Sequence, residues 1–551
     1  MKKSISALAL SFVLLAGTLP VRADNDQLSA GKIEHVLLIS VDGLHALDLT
    51  NFVASHQQST LAKLSGHGFT YTNASTSLPT DSFPGLAALV TGGSPQTTGF
   101  WYDVTYNRAL VGSQLTAPAG YVMVATPCPG PVGTPVGLDE EIDVDLTQLN
   151  GGRAQTSLTD APINPGLLPR DPITCAPIYP HQYLRVNTIF EVVKANGGYT
   201  AWTDKHPSYE WVKGPSGKGL DDFYSPEINS LPVNLPQVKI WPCNPIPDVE
   251  TDPGSAWTDT IGDIKCYDAL KVQAIVNEID GLSHDGSLKT QVPAVFGMNF
   301  QAVSVGQKLK GNGYSDVLGT PGEGPAGASA GDSGGLLGEL EFVDQMLGLM
   351  VNELKKQGLL SSTLIIVGAK HGQSPIDVQK KVAIGGGQPQ TLIGSPEAFD
   401  ISDDGSLIWL IDPSLTAGVV EQLSTPESQA TLGIQEIFAG PSLRNKWDSP
   451  TDDPRTPDII LKVNTGVIFT GGSKIAEHGG LNEDDYHVAL LVSNPSLSSK
   501  HIKAPVTNQQ VAPTIVKVLG FNPNELQAVQ KEQTRVLPFL FSDSDSDNDD
   551  K

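Results

Sequence analysis

The sequence predicts an α/β fold with a mostly parallel central sheet, helices on both of its faces and loop-rich insertions. Apolar runs of strand length recur along the chain and alternate with helix-length segments, which is typical of a parallel sheet flanked by helices. The runs are apolar at nearly every position, as expected for strands that are buried on both faces. The chain is also longer than a usual single domain, so one large domain with insertions is favoured.

Six segments have the length and composition of buried strands, and the first contains the run Val36-Leu-Leu-Ile-Ser-Val41. Residues 339–357 repeat apolar side chains at helical spacing, and Gly358 follows as a stop signal, so a helix is predicted there. The predicted strands are residues 35–41, 293–300, 363–369, 407–411, 458–463 and 487–492.

The chain begins with the features of a secretory signal peptide. Two lysines precede an apolar stretch, and Val21-Arg22-Ala23 has the small-x-small pattern of a cleavage site, so residues 1–23 are predicted to be removed. A membrane anchor would need about 20 uninterrupted apolar residues, and Pro20 ends this run too early. No later segment has the composition of a membrane span, so we expect a secreted or periplasmic protein.

Two regions interrupt the alternation of strands and helices. Residues 111–182 and about 205–290 show little periodicity and are predicted as insertions, which either shape the entrance to a site or decorate the surface. The last ten residues, 542–551, form an acidic low-complexity tail that is predicted to be disordered. Calcium binding by this tail is disfavoured because it has no glycine for the turn of a calcium loop.

The net charge limits the kinds of molecule that the protein is expected to bind, and the cysteines indicate disulfides. The net charge of −25 becomes about −28 without the signal peptide, which argues against a nucleic-acid polymer but not against a small phosphorylated molecule. Four cysteines in an exported chain, with no Cys-x-x-Cys pair, predict two disulfides rather than a zinc site. Three connectivities are open, and pairing in sequence order (Cys128 with Cys175, Cys243 with Cys266) closes the shortest loops.

Polar residues follow several predicted strands directly. Asp42 and Gly43 end the first strand, Gln301 ends the second, and Lys370-His371-Gly372 ends the third. Ligands of open parallel sheets bind beyond the carboxyl ends of the strands, so these residues are candidates for a functional site. Structural alternatives exist, since Asp before Gly is common in turns and a serine such as Ser82 is common at helix starts.

One segment resembles a known family. Residues 78–92, Leu-Pro-Thr-Asp-Ser82-Phe-Pro-Gly-Leu-Ala-Ala-Leu-Val-Thr-Gly92, are similar to the nucleophile segment of the type I phosphodiesterase/nucleotide pyrophosphatase family, in the alkaline phosphatase superfamily. The order of motifs is similar too: Asp42-Gly43, Ser82, Lys370-His371-Gly372, and His478-Gly479 near the end. The resemblance implies an alkaline-phosphatase-like catalytic domain over residues 24–541.

The resemblance also implies a mechanism. In the family, two zinc ions about 4 Å apart activate a hydroxyl nucleophile and clamp the phosphoryl oxygens, and a covalent phospho-enzyme forms. Carried over to this sequence, Asp42, Ser82 and His371 would bind one metal ion, and His478 would bind the other. The sequence departs from the family at three more ligand positions, which hold Gln301, Gln307 and Lys370.

These departures predict an altered metal site. We expect a divalent metal, with zinc as the ion and one ion rather than two, because amide and ammonium groups are not the ligands that zinc prefers. Lys370 is expected to replace part of the missing positive charge as a fixed ammonium. Asp103 lies near the family position of an asparagine that touches a phosphoryl oxygen, so it is a further catalytic candidate. Asp204-Lys205-His206 is another polar cluster after a short predicted strand.

The leading hypothesis is an exported phosphoric ester hydrolase, similar to phosphodiesterases and nucleotide pyrophosphatases. Ser82 would be the nucleophile, and the substrate a small phosphorylated molecule such as a nucleotide. A sulfatase is disfavoured because its modified segment, Cys/Ser-x-Pro-x-Arg, would need arginine where Leu86 stands. The alternative is a pseudoenzyme or binding protein that keeps an anion pocket but has lost two-metal catalysis.

Overall fold

The strands of this protein form one large sheet and several small ones. The computed structural model describes residues 28, 31–116, 124–125, 130–138, 142–151, 157–231, 234–236, 238–243, 256–325 and 334–541. The predicted signal peptide, the acidic tail and Cys128 lie outside these residues. Within them the strands, β1 to β20 in chain order, are His35–Val41, Gly68–Tyr71, Ala74–Ser75, Val104–Val111, Leu115–Thr116, Val124–Ala125, Val132–Gly137, Ala201–Thr203, Asp222–Tyr224, Val295–Phe300, Thr363–Gly368, Val382–Ile384, Glu397–Ser402, Gly405–Leu410, Ile434–Ala439, Ile459–Val463, Val467–Phe469, Leu490–Ser493, Lys500–Ile502 and Val506–Thr507.

The helices differ widely in length, and side chains close several of their first turns. Ser59 caps the second helix, and Thr260 caps the seventh, by accepting hydrogen bonds from backbone amides of the first turn. In the same described ranges the α-helices, α1 to α16, are Ala46–Ser55, Thr60–Gly66, Ser82–Thr91, Pro95–Thr98, Pro180–Tyr183, Ile189–Ala195, Ile261–Ile279, Ala302–Lys308, Gly335–Lys356, Gln388–Ile393, Thr416–Leu423, Pro426–Leu432, Pro441–Arg444, Glu483–Tyr486, Val511–Val518 and Gln527–Glu532.

The central sheet has eight strands in the order β19-β2-β18-β11-β1-β10-β8-β9. Strands β11, β1, β10, β8 and β9 run parallel to one another, and β18 is antiparallel to both of its neighbours. In this register Val36 of β1 lies between Val295 of β10 and Leu364 of β11. The predicted α/β fold with a mostly parallel central sheet is therefore confirmed.

Side chains of β1 alternate between two hydrophobic cores, one on each face of the sheet. Val36 and Leu38 pack in the core that contains α3 and α15, and Leu37, Ile39 and Val41 pack in the core that contains α7 and α9. Because both faces are covered by helices, an uninterrupted apolar strand is the composition that this position requires.

A second sheet has a different construction. Strands β13, β14, β16 and β15 lie in that order, and each is antiparallel to its neighbours. Two of the six predicted strands, residues 407–411 and 458–463, belong to this sheet as β14 and β16 rather than to the central one. Short apolar runs do not reveal the direction of their partner strands, so the two sheets cannot be distinguished from the sequence alone.

The predicted insertion at about residues 205–290 is more than a surface loop. It contains α7, most of whose residues are buried in the core between the sheet and α9. A disulfide joins Cys243 to Cys266 at the start of this helix, with the Cα atoms 5.5 Å apart. No helix in the described ranges is both long and apolar enough to cross a membrane.

Candidate functional site

Four adjacent parallel strands end at one polar edge of the central sheet. In the order β11, β1, β10 and β8, their carboxyl ends are followed by Lys370-His371, Asp42, Gln301 and Asp204-Lys205. Helix α3 begins over this edge at Ser82. We call Asp42, Ser82, Lys205, Lys370 and His371 the serine cluster, because Ser82 Oγ lies among the polar groups of the others.

Helix α3 holds Ser82 against the sheet edge. Asp81 caps the helix by accepting a hydrogen bond from the Phe83 amide at 2.9 Å, which makes Ser82 its first residue. Every residue of the helix is buried. The helix approaches the backbone of Lys370 so closely that a Cβ atom at Gly85 would lie 2.2 Å from the Lys370 carbonyl oxygen. Only glycine fits at position 85, and this contact fixes Ser82 relative to Lys370 and His371.

The Ser82 hydroxyl lies between a base and a cation. Its Oγ is 3.2 Å from His371 Nε2 and 3.2 Å from Lys205 Nζ. His371 Nδ1 is 2.8 Å from the Gly372 carbonyl oxygen, which can only accept, so the ring proton is on Nδ1. In the neutral ring Nε2 is then an acceptor. The Ser82 hydroxyl therefore donates to His371 and accepts from the Lys205 ammonium.

Asp42 contacts several of the polar groups at this edge of the sheet. The side-chain amides of Asn299 and Gln301 donate to its two carboxylate oxygens at 2.8 and 2.6 Å. Its Oδ2 is also 3.6 Å from His371 Nε2, 3.7 Å from Lys205 Nζ and 3.8 Å from Lys370 Nζ. Burial alone would raise the pKa of Asp42, but the charges of Lys370, His371 and Lys205 outweigh it and hold that pKa well below its usual range. Asp42 is therefore an anion surrounded by donors.

The two lysines have different surroundings. Lys370 is completely buried, 3.1 Å from Asp204 Oδ1 and 4.3 Å from the centre of the Tyr209 ring. Burial lowers the pKa of Lys370 in spite of the nearby carboxylates. Burial acts in the same direction on Lys205, but the charges of four aspartates outweigh it and raise the pKa of Lys205. Lys205 is accordingly held as an ammonium beside the Ser82 hydroxyl.

His478 reaches the site from the loop before α14. Its ring stacks on His371 with centroids 3.7 Å apart, and its Nδ1 is buried without a hydrogen-bond partner. Burial, followed by the positive surroundings of His371, Lys308 and Lys205, lowers the pKa of His478 well below its usual value. The Tyr102 hydroxyl donates to Asp403 Oδ2 at 2.5 Å, and its oxygen lies 3.3 Å from the His478 carbonyl oxygen, so Tyr102 contacts the loop that carries His478.

The two candidate glutamines lie in different networks. Gln301 contacts Asp42 as described, whereas Gln307 donates to the Gly43 carbonyl oxygen at 2.8 Å and to the Tyr314 hydroxyl at 2.9 Å. The sequence predicts both at one site, but Gln301 precedes α8 whereas Gln307 lies near its end and contacts the backbone of Gly43. We call His45, Asp48, Gln307, Tyr314 and Gln373 the glutamine cluster.

Asp103 lies in the electrostatic environment of the site. Its Oδ1 accepts a hydrogen bond from the Val104 amide at 2.8 Å. Its charge helps to raise the pKa of Lys205, and it adds to the effect of burial in raising the pKa of Asp81 well above the usual range. Asp103 thus adds negative charge near Lys205 and Asp81, and its catalytic role stays a prediction.

The predicted divalent metal does not fit these side chains. Asp42 Oδ2 faces two ammonium groups and an amide NH₂, all of which are donors without a lone pair to offer an ion. Two unit charges 4 Å apart repel by about 4 kcal/mol at an effective dielectric constant of about 20, and a divalent ion would face both lysines. In the described part of the chain, no three His, Cys, Asp or Glu side chains come together in a group that could hold a metal.

Lys205 was missed as a member of the site. It was recognised only as part of a polar cluster after a short strand. Lys205 follows β8, so the rule that polar residues after strand ends form the site would include Lys205 if the sequence indicated that β8 neighbours β10. Strand β8 has only three residues, which is too short to indicate its neighbour.

Comparisons with known proteins agree with the resemblance read from the motifs. The family model of type I phosphodiesterase / nucleotide pyrophosphatase matches residues 36–116 and 322–487, which include Asp42, Ser82, His371 and His478 but not Lys205. The bis(5'-adenosyl)-triphosphatase enpp4 of Xenopus laevis is 22% identical over 193 residues, which are 34% of this chain and 40% of that protein.

Solved structures show the same fold. Murine ectonucleotide pyrophosphatase / phosphodiesterase 5 is similar with a TM-score of 0.53 and 12% identity, over 89% of this chain and 96% of its own. An inactive variant of that murine protein in complex with AMP is similar to the same extent, with a TM-score of 0.53, 12% identity, and 89% and 96% of the two chains covered. The predicted resemblance is confirmed for the fold and for the motif-bearing segments.

Proposed function

We propose that this chain, a relative of the type I phosphodiesterases and nucleotide pyrophosphatases, is an exported phosphoric ester hydrolase with Ser82 as its nucleophile. One observation carries the proposal: Ser82 Oγ lies 3.2 Å from both the acceptor nitrogen of His371 and the ammonium of Lys205. A serine held only as a helix-start residue would need neither a base nor a cation at its hydroxyl.

The surroundings of Ser82 suit phosphoryl transfer. A hydroxyl becomes a useful nucleophile when a base accepts its proton, and phosphoryl oxygens need positive charge nearby. His371 meets the first need and Lys205 the second, and Ser82 stands at the positive end of the ten-residue helix α3. Attack by Oγ would form a phosphoserine intermediate, which water would then hydrolyse. His478, stacked on His371, is the candidate for contact with the leaving group.

The proposed substrate is a small phosphorylated molecule, and a nucleotide is a candidate. The AMP complex of the murine structural relative supports a nucleotide by analogy. The strongly acidic chain argues against a nucleic-acid polymer. The predicted signal peptide and the Cys243–Cys266 disulfide support a secreted or periplasmic location.

A binding protein is the second candidate, because the same lysines would attract a phosphate without turning it over. The departures from the family at Gln301 and Lys370 favour it. The two candidates differ in whether a bond between Ser82 and phosphorus ever forms, and this difference can be measured.

The test compares purified wild-type protein with Ser82→Ala. The substrates are p-nitrophenyl phosphate, its bis ester and the p-nitrophenyl ester of thymidine monophosphate, with acid quenching to trap phosphoserine for mass spectrometry. We expect Ser82→Ala to lose at least about a thousandfold in turnover and to lose the phosphopeptide. Ser59→Ala, at the start of the remote helix α2, is the matched control and should keep full turnover. Full activity of Ser82→Ala would remove Ser82 from the mechanism, and AMP binding without any turnover by the wild type would favour the binding protein.

A further inference from the structure

We infer that Ser82 is activated without a metal ion, by His371 as general base and by Lys205 as the fixed positive charge. The inference rests on the proposed function and specifies how its nucleophile is activated. It departs from the mechanism that the family resemblance implies, in which metal ions have both tasks.

The first support is the protonation pattern of His371. The hydrogen bond to the Gly372 carbonyl oxygen assigns the ring proton to Nδ1, so the lone pair of Nε2 faces Ser82 Oγ at 3.2 Å. Asp42 Oδ2 lies 3.6 Å from the same nitrogen. When Nε2 takes the serine proton, the new imidazolium is beside a carboxylate, which is the arrangement that a general base needs.

The second support is the position of Lys205. Its Nζ is 3.2 Å from Ser82 Oγ and 3.7 Å from Asp42 Oδ2, and its side chain is largely buried. An ammonium at this distance stabilises the developing negative charge on Oγ and on the phosphoryl oxygens. No reorganisation is needed, because the charge is already in place before the substrate binds.

The third support is Lys370, which acts as a positioning residue. It bridges Asp42 and Asp204, at 3.8 and 3.1 Å, from a completely buried position. With Lys370 on one side and the amides of Asn299 and Gln301 on the other, the carboxylate of Asp42 is already occupied by donors. The place where a cation would bind this aspartate therefore holds protein cations instead.

The reaction balances with these groups alone. In the first step the Ser82 proton moves to His371 Nε2, the Oγ–P bond forms, the bond from phosphorus to the leaving oxygen breaks, and the leaving oxygen takes a proton from solvent. In the second step water attacks phosphorus from the side that the leaving group vacated and releases a proton to solvent. The Oγ–P bond breaks, and His371 returns its proton to Ser82.

The experiment measures the reactivity of Ser82 directly. Protein dialysed against EDTA and then dipicolinate is checked for residual metal by mass spectrometry and treated with a fluorophosphonate, which forms an Oγ–P bond and expels fluoride. We expect Ser82 to be labelled at the same rate, within about twofold, with and without chelator or added Zn²⁺. His371→Gln should slow labelling at least about a hundredfold, while His501→Gln, an exposed histidine of β19, should not.

The outcomes separate this inference from the proposed function. If chelation abolishes labelling or ester turnover and Zn²⁺ restores it, the metal-free mechanism is overturned while the hydrolase proposal stands. If Ser82 is labelled in chelator but no ester is turned over, the activation mechanism stands and the hydrolase proposal fails. Equal labelling of His371→Gln and wild type would overturn the role of His371.

A gain-of-binding variant gives an independent test. Lys370→Asp replaces the bridging ammonium by a carboxylate beside Asp42, His371 and Asp204, which is a donor set that suits a divalent ion. Calorimetric titration with Zn²⁺ should show one bound ion per molecule of the variant and no binding at this site by the wild type. The inference is overturned if the wild type binds zinc stoichiometrically and labelling of Ser82 requires that zinc. This outcome does not depend on whether the variant folds.

Discussion

The serine cluster and the glutamine cluster both adjoin the Asp42-Gly43 turn, and both are largely buried and polar. In the glutamine cluster Gln373 Nε2 is 2.6 Å from Gln307 Oε1, and the Tyr314 hydroxyl is 2.9 Å from Asp48. In the serine cluster Ser82 has contacts of 3.2 Å, and the charged groups around Asp42 are 3.6 to 3.8 Å from it.

The difference separates a structural network from a reactive one. A fully hydrogen-bonded buried network rigidifies the fold and has no capacity left for a ligand. A cluster that places a neutral base and ammonium groups around a hydroxyl offers an acceptor for a proton and donors for an anion. Two of the candidate ligand positions belong to different clusters. Gln301 contacts Asp42 of the serine cluster, whereas Gln307 belongs to the glutamine cluster.

The largest effect is expected from Lys205→Met. This change removes the ammonium at Ser82 Oγ but keeps most of the aliphatic side chain. Turnover of the p-nitrophenyl esters should fall by about 10² to 10³-fold, because no other cation is within contact of Oγ among the described residues. Unfolding in urea should show a loss of about 3 kcal/mol, since buried carboxylates lose their partner, so kinetics are measured well below the transition.

Lys218→Met is the matched control, because Lys218 is an exposed lysine of the same region. It should leave both turnover and stability unchanged. If Lys205→Met keeps turnover within about threefold of the wild type, Lys205 does not take part in the reaction and does not distinguish the two clusters.

Gln307→Ala should have the opposite profile. It removes donors to Gly43 and Tyr314 and an acceptor for Gln373, which leaves buried groups without partners. We expect the free energy of unfolding to fall by about 2 to 3 kcal/mol and kcat to change by less than about threefold. Chemical denaturation and ester kinetics on one preparation check both numbers. A loss of kcat as large as that of Lys205→Met would show that the glutamine cluster also belongs to the reaction.

Much of the fold was predictable because the strands carry their own signal. The uninterrupted apolar run of β1 predicted burial on both faces, and α3 and α9 occupy those faces. The antiparallel sheet was not predictable as a separate unit, since β14 and β16 have the same apolar composition as the parallel strands. Helix α7 was also missed, because only part of it follows an apolar period and the segment before it is irregular in sequence.

The site was predictable where motif and strand end coincide, as at Asp42, Ser82 and Lys370-His371. Those residues lie in segments that the family model matches, and their order along the chain indicated a common site. Lys205 follows a three-residue strand outside the matched segments, and its partner Ser82 is 123 residues away. Residues so far apart in the chain come into contact because of the order of the strands in the sheet, and this order cannot be predicted from short sequence segments.

Asp143 tests whether a buried carboxyl group whose pKa departs from its usual value, as that of Asp42 does, always marks a reactive site. Burial, reinforced by Glu227, raises the pKa of Asp143 from its ordinary 3.8 to about 9, so the native state holds a proton there that the unfolded chain releases. Its contribution to stability is complete below about pH 4 and is lost as the pH rises toward 9. Asp143→Asn needs no proton, so it should become more stable than the wild type by about 1 to 3 kcal/mol at pH 9, with little difference at pH 4 and unchanged turnover.

Urea unfolding of both proteins at pH 4, 7 and 9 measures this difference. Asp145→Asn is the control, since hydrogen bonds from Thr147 lower the pKa of Asp145 and its ionisation is complete throughout the range from pH 5 to 9. Parallel pH dependence of Asp143→Asn and wild type would show that Asp143 is not protonated in the native state. A loss of turnover in Asp143→Asn would instead extend the proposed reactive region beyond the sheet edge, because a buried carboxyl group with a shifted pKa would then coincide with function at both places.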